Sequence, residues 1–252
     1  MGSASLHLPT LLVLTLGLPA ILACGSGGGG RASPAPDNTA RQISNEELSR
    51  MVLSIAELPP EYAAVVREVD NGVLTLDKAV ESFYDPEGLR AQLVEYGWES
   101  GYQASYQAPK ADEKPSGPSI VLSKVDAYKT SAGAAAKLKG PSPTPSPTDA
   151  SGSPLRTLSP SDAARFAEQF HRFEVDLGDE AGGFRLKTKL TGEDDSDVFW
   201  SAFATFRRGR LIGQVSVAAY NLTDQEAKEL EDTAKDLARK MNDQMSAVLA
   251  ER

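Results

Sequence analysis

A chain of 252 residues with a net charge of −9 and a pI near 4.9 lacks the basic surface that releases counterions from a phosphate backbone, which argues against nucleic acid as a partner. Its single cysteine excludes an intramolecular disulfide. Two histidines and that one cysteine leave too little material for a zinc cluster, a Cys-His pair or a Ser-His-Asp arrangement, so neither a metal nor another cofactor is expected.

The continuous apolar stretch from Leu11 to Leu22 is too short for the roughly 20 residues a helix needs to cross a bilayer, and it reads as the h-region of an export signal. Ile21-Leu22-Ala23-Cys24 follows it and resembles the lipobox of bacterial lipoproteins, in which a peptidase admits a small residue such as Ala23 and cuts before the lipidated cysteine. The resemblance implies a signal peptide over residues 1–23, recognised through Ile21, Leu22 and Ala23, and lipid on Cys24 holding the protein to the outer face of a cell membrane. The first ten residues depart from the usual signal in carrying no Lys or Arg. From residue 24 to 42 the composition turns to Gly, Ser, Pro and Ala, with four glycines at Gly27 to Gly30. Such a segment buries too little apolar surface to fold and serves as a tether.

The remainder, residues 43–251, is expected to form one α+β domain. Ser44-Asn45-Glu46-Glu47 has the form of a capping box, and Leu48, Met51, Val52 and Ile55 follow at helical spacing until Leu58-Pro59-Pro60 stops them. Two further helices are predicted over Thr75 to Phe83 and Asp85 to Tyr96, the second with Asp85 as cap and Pro86 in the first turn. Trp98, Tyr102 and Tyr106 recur at even spacing, which in an unbroken strand places all three on one face. Ser119 to Tyr128 reads as a second strand, and Ser131 to Leu138 as an alanine-rich helix.

Residues 140–158 carry a Pro/Ser/Thr-rich tract with almost no apolar side chains, predicted to be a disordered insertion in the domain, the alternative being a boundary between two domains. Ala163, Ala164, Phe166, Ala167 and Phe170 form a helical stripe, and Asp176 to Gly183 a turn-rich link. Phe184, Leu186, Thr188 and Leu190 alternate with cations in a half-buried strand; Val198 to Phe206 and Leu211 to Tyr220 are apolar on both faces and belong at the centre of the sheet, joined by a hairpin at Arg208-Gly209. Thr223-Asp224-Gln225-Glu226 is a second capping box. It opens a helix of some 27 residues whose stripe, Ala227, Leu230, Ala234, Leu237, Met241, Met245 and Val248, can cover the apolar face of an antiparallel sheet of about five strands.

Candidate functional residues are few. The stripe of Trp98, Tyr102 and Tyr106 suits a ligand or partner face, though core packing beneath a helix is the simpler use of such residues. Arg207, Arg208 and Arg210 cluster at a hairpin, where they could meet an acidic partner or merely keep the turn soluble. His171, near the end of a predicted helix, has no signalled catalytic partners, and the acidic run Glu193 to Asp197 lacks the spacing of a dedicated calcium loop. In their order, Ile55-Ala56-Glu57-Leu58-Pro59-Pro60, Leu177-Gly178-Asp179-Glu180-Ala181, Phe206-Arg207-Arg208-Gly209 and the last amphipathic helix resemble exported sensor-type and PsbP-like lipoprotein domains of bacteria, without the paired cysteines of the mycobacterial kinase-sensor relatives. The resemblance implies a non-enzymatic module that binds a partner protein or ligand outside the cell. The alternative is a carrier holding a lipid or other apolar ligand in a cavity between sheet and helices; a hydrolase, which needs an acidic pair brought together in space, is the third.

Overall fold

A computed structural model describes residues 42–81, 85–109, 117–139, 170–189 and 198–251. The lipobox, the tether up to residue 41, the 140–158 tract, all but the last residue of the helix expected from Ser159 to Phe170, and the acidic run at 193–197 lie outside the described residues.

Among the described residues seven antiparallel strands form one sheet: β1 (Arg67–Leu74), β2 (Trp98–Gln107), β3 (Gly117–Tyr128), β4 (Phe170–Phe173), β5 (Glu180–Lys189), β6 (Val198–Arg208) and β7 (Leu211–Tyr220), in the spatial order β1-β2-β3-β7-β6-β5-β4. The class is the α+β one expected, but the strands number seven rather than about five. Both additions are edge strands. β1 is polar along most of its length and interrupted by a bulge between Glu68 and Asp70, and β4 is four residues long. Phe170 and His171, expected at the end of a helix, are in β4 because their backbone pairs with Leu186 and Arg185 of β5. Likewise Gly182 and Gly183, expected in a turn, are paired inside β5 with Thr205 and Ala204. The sheet joins strands from either side of residues 140–169, β3 pairing with β7 over ten positions from Gly117↔Tyr220 to Ala127↔Leu211.

Local chemistry accounts for the helices. Ser44 and Thr223 both close capping boxes, at α1 (Asn45–Ser49) and at the C-terminal helix, satisfying amide donors that have no partner within the first turn. The helix predicted to continue past Ser49 does not: a 3-10 turn (Ile55–Glu57) comes next, and Pro60, rather than ending a helix, opens α2 (Pro60–Ala63), where its missing N–H costs nothing. α3 (Leu76–Val80) and α4 (Pro86–Glu95) follow the predicted positions with shorter ends, and α5 (Ser131–Lys139) runs one residue past its predicted end. The last helix, α6 (Asp224–Ala250), has the 27 residues expected.

Two apolar layers sandwich the sheet. On one face the α6 stripe from Ala227 to Val248 packs on Tyr106, Val121, Val125, Ala202, Ala204, Phe206, Val215 and Val217, with the α1–α2 segment closing the end. Each fully buried Leu or Met in that seam contributes about 2 kcal/mol by removal of apolar area from water. On the opposite face α3, α4 and α5 bring Val80, Leu89, Leu93, Ala134 and Leu138 onto Leu74, Trp98, Tyr128 and Ile212. Phe170, Phe184 and Phe203 form a stacked file elsewhere on that face, with centroids 5.1 and 4.6 Å apart. The β6–β7 turn is the expected hairpin. Gly209 sits at φ +57°, a conformation that favours glycine, and Arg208 pairs with Leu211 across it.

Candidate functional site

Trp98 departs from the face expected of it. The β2–β3 register shifts between Trp98 and Ser100, and the extra residue, Glu99, reverses the alternation. Tyr102 and Tyr106 consequently pack toward α6, whereas Trp98 lies on the other face with Tyr128 and the α3–α5 layer. Tyr106 is 2 % exposed, and its hydroxyl donates to the Leu53 carbonyl at 2.9 Å. Burial pushes that phenol upward in pKa, the Asn71 hydrogen bond opposing the shift.

The same bulge builds a cleft. Gln42 to Asn45, Val73 to Leu76 and Trp98 to Ser100 line an open recess of about 630 Å³ where the described chain begins. Ile43, Leu74 and Trp98 supply its apolar wall, and the indole N–H donates to Asp126 Oδ1 at 2.9 Å. Glu99 is clamped by Arg210, Nη1 to Oε2 at 2.6 Å, and the same Nη1 donates to the Tyr128 carbonyl at 2.9 Å. Arg210 is only 4 % exposed, so this ion pair orients the cleft rim from beneath. Sequence alone offered Arg210 as a surface cation; its partner Glu99, contributed by the bulge, had no sequence signal.

Arg207 and Arg208 are also engaged within the molecule. Arg207 bonds Asp179 at 3.0 Å and Glu180 at 3.2 Å, and Arg208 bonds the Asn242 side-chain oxygen on α6 at 3.1 and 2.9 Å. Although burial alone would raise the Glu180 carboxyl, hydrogen bonds from Lys139 and Arg207 and their charges hold it below the usual range. The three arginines therefore tie the hairpin to the start of β5, to α6 and to β2 and β3, and Trp98 stands apart from Tyr102 and Tyr106.

His171 belongs to a third cluster. Glu231 of α6 is 5 % exposed and lies 2.8 Å from Arg185 Nη1 and 3.7 Å from His171 Nε2. The Arg185 contact is close, but it lacks the alignment of a hydrogen bond at Glu231 Oε1. Arg185 and Lys187 also lie over Trp200, 5.2 and 4.7 Å from its ring. These contacts tie the β4–β5 edge to α6. A second open recess, of about 670 Å³, flanks the edge strand and is lined by Phe170, Arg172, Phe173, Glu174 and Gly182 among others. Among the described residues no group of three or more His, Cys, Asp or Glu is placed to hold a metal ion, and no helix is long and apolar enough to cross a membrane.

No protein-family model matches the chain, and no curated protein matches it. Among solved structures, the extracellular domain of PknH from Mycobacterium tuberculosis is similar over 79 % of this chain and 98 % of that domain, at 12 % sequence identity and a TM-score of 0.43.

Proposed function

We propose that the protein is a lipid-anchored binding module on the outer face of a cell membrane, with the Trp98 cleft as its docking surface. The observation that carries this reading is the cleft's preformed rim. Trp98 is fixed by Asp126, and Glu99 by Arg210, beside an apolar wall that opens to solvent. Preorganised groups of this kind lose little freedom on binding. The cleft also includes Gln42, where the tether from Cys24 would join the domain. The 17 intervening residues reach on the order of 60 Å when fully stretched, enough to present the cleft to a membrane-bound or soluble partner.

Intact mass of the protein from its own membrane tests the anchor: a chain beginning at Cys24 with added acyl mass is expected, and Cys24→Ser should abolish both. Native mass spectrometry tests the docking surface. The wild-type chain should retain a bound partner or ligand that Leu76→Glu, at the cleft wall, releases without altering circular dichroism. A retained lipid would instead favour the carrier, and turnover of a defined substrate by the purified chain would overturn the non-enzymatic reading.

A further inference from the structure

The sheet face beneath α5 carries a polar strip between its two apolar patches. Lys124 of β3 is paired with Gln214 of β7, and Gln214 with Thr205 of β6, so the three side chains share one row and one face. Two strand spacings, about 10 Å, separate Lys124 from Thr205, with the Gln214 amide between them. α5 packs on β3, β7 and β6, and its Lys137 lies close enough to Lys124 and Asp126 to feel both charges.

The charges on this face beneath α5 do not balance. Lys124 Nζ lies 2.9 Å from Asp126 Oδ2, while the other oxygen of Asp126 accepts from Trp98 Nε1, also at 2.9 Å. Lys137 has no carboxylate within ion-pair distance among the described residues. The nearby Glu180 is taken by Lys139 and Arg207. Burial first, and the Lys124 charge second, pull the Lys137 ammonium down to about 8, with Asp126 opposing them. A separate observation concerns Thr205, which is 3 % exposed and whose hydroxyl has no hydrogen-bond partner among the described residues. Buried hydroxyls are satisfied in the great majority of cases, and an orphan on the same row as the Lys124 ammonium, beneath the helix that carries Lys137, marks a place where a partner is missing. Gln214 and Lys124 remain partly exposed, which leaves the row an approach from solvent.

We propose that Lys124, Lys137, Gln214 and Thr205 form a recessed site for the oxyanion head group, a carboxylate or a phosphate, of a small ligand. An oxyanion over Gln214 would accept from the Thr205 hydroxyl and the Gln214 amide, and would neutralise the surplus ammonium. None of these four residues lines the Trp98 cleft, so the site stands or falls separately from the docking surface.

Lysine Cε chemical shifts of the full chain, isotopically labelled and purified in detergent, provide the test, with the Lys137 resonance assigned from Lys137→Arg. In chloride its titration midpoint should lie well below the ordinary lysine range, with exposed Lys228 as the reference resonance. Sodium acetate or inorganic phosphate at matched ionic strength should raise the midpoint saturably while leaving Lys228 in place. A shift with acetate assigns a carboxylate; a shift with phosphate alone assigns a phosphoryl group. Thr205→Val, which keeps the side-chain shape, should weaken the effective anion several-fold without moving the midpoint in chloride. Equal displacement of Lys137 and Lys228, or no displacement by either anion, overturns the site, as does a Thr205→Val protein that folds normally and binds as the wild type does.

Discussion

Replacing Lys137 by methionine should stabilise the protein, and the gain should depend on pH in a direction set by its surroundings. Lys137 is mostly buried on α5 beside Lys124, with Asp126 as the opposing charge and Lys139, Glu180 and Arg207 paired with one another nearby. A lysine held at about 8 instead of the ordinary 10.5 destabilises the fold in its charged form by roughly 3 kcal/mol. The folded-state pKa is the lower one. The penalty is therefore complete below pH 8, shrinks as pH rises from 8 toward 10.5, and vanishes where both states are neutral. Methionine has a similar length and no charge, so Lys137→Met should raise unfolding stability at pH 7 by about 1–3 kcal/mol, the lower figure allowing for the partial exposure of the site. Urea unfolding of both proteins at pH 7 and pH 10, without added carboxylate or phosphate, measures the difference. A variant less stable at pH 7, or one whose advantage is the same at both pH values, would refute the electrostatic account of this lysine.

Removing Arg185 leaves Glu231 buried in α6 with, among the described residues, only exposed His171 as a nearby cation, so Arg185→Met should cost about 3–5 kcal/mol in urea unfolding. Adding Glu231→Gln should recover most of that loss, and a double variant no better than the single would show that the Arg185 stem over Trp200, rather than its charge, holds the edge. Gly178 sits at φ +61°, and a Cβ there would be driven into the Arg207 carbonyl. Gly178→Ala should therefore cost more than about 1 kcal/mol and lower the melting temperature, and an unchanged melt would contradict the close approach.

The capping boxes at Ser44 and Thr223, the α6 stripe and the Gly209 hairpin were legible in the sequence because each is specified within a few residues by groups that meet whatever the rest of the chain does. The five inner strands were legible for a related reason, since buried faces impose runs or alternations of apolar residues. β1 and β4 lacked that imprint. An edge strand is paired along one side only, and Arg67 to Gly72 is largely solvated, so backbone hydrogen bonds rather than hydrophobic patterning place them. Trp98 failed a sound periodicity argument because one inserted residue, Glu99, turns the strand, and a bulge of this kind leaves no compositional mark. The Arg210–Glu99 clamp joins residues 111 positions apart, and the Lys124–Gln214–Thr205 row exists only because β3, β7 and β6 are neighbours. Sequence determined the elements whose stabilising contacts are local; the tertiary structure decided which charges and hydroxyls share an enclosure, because that depends on strand order and register, which no single segment encodes.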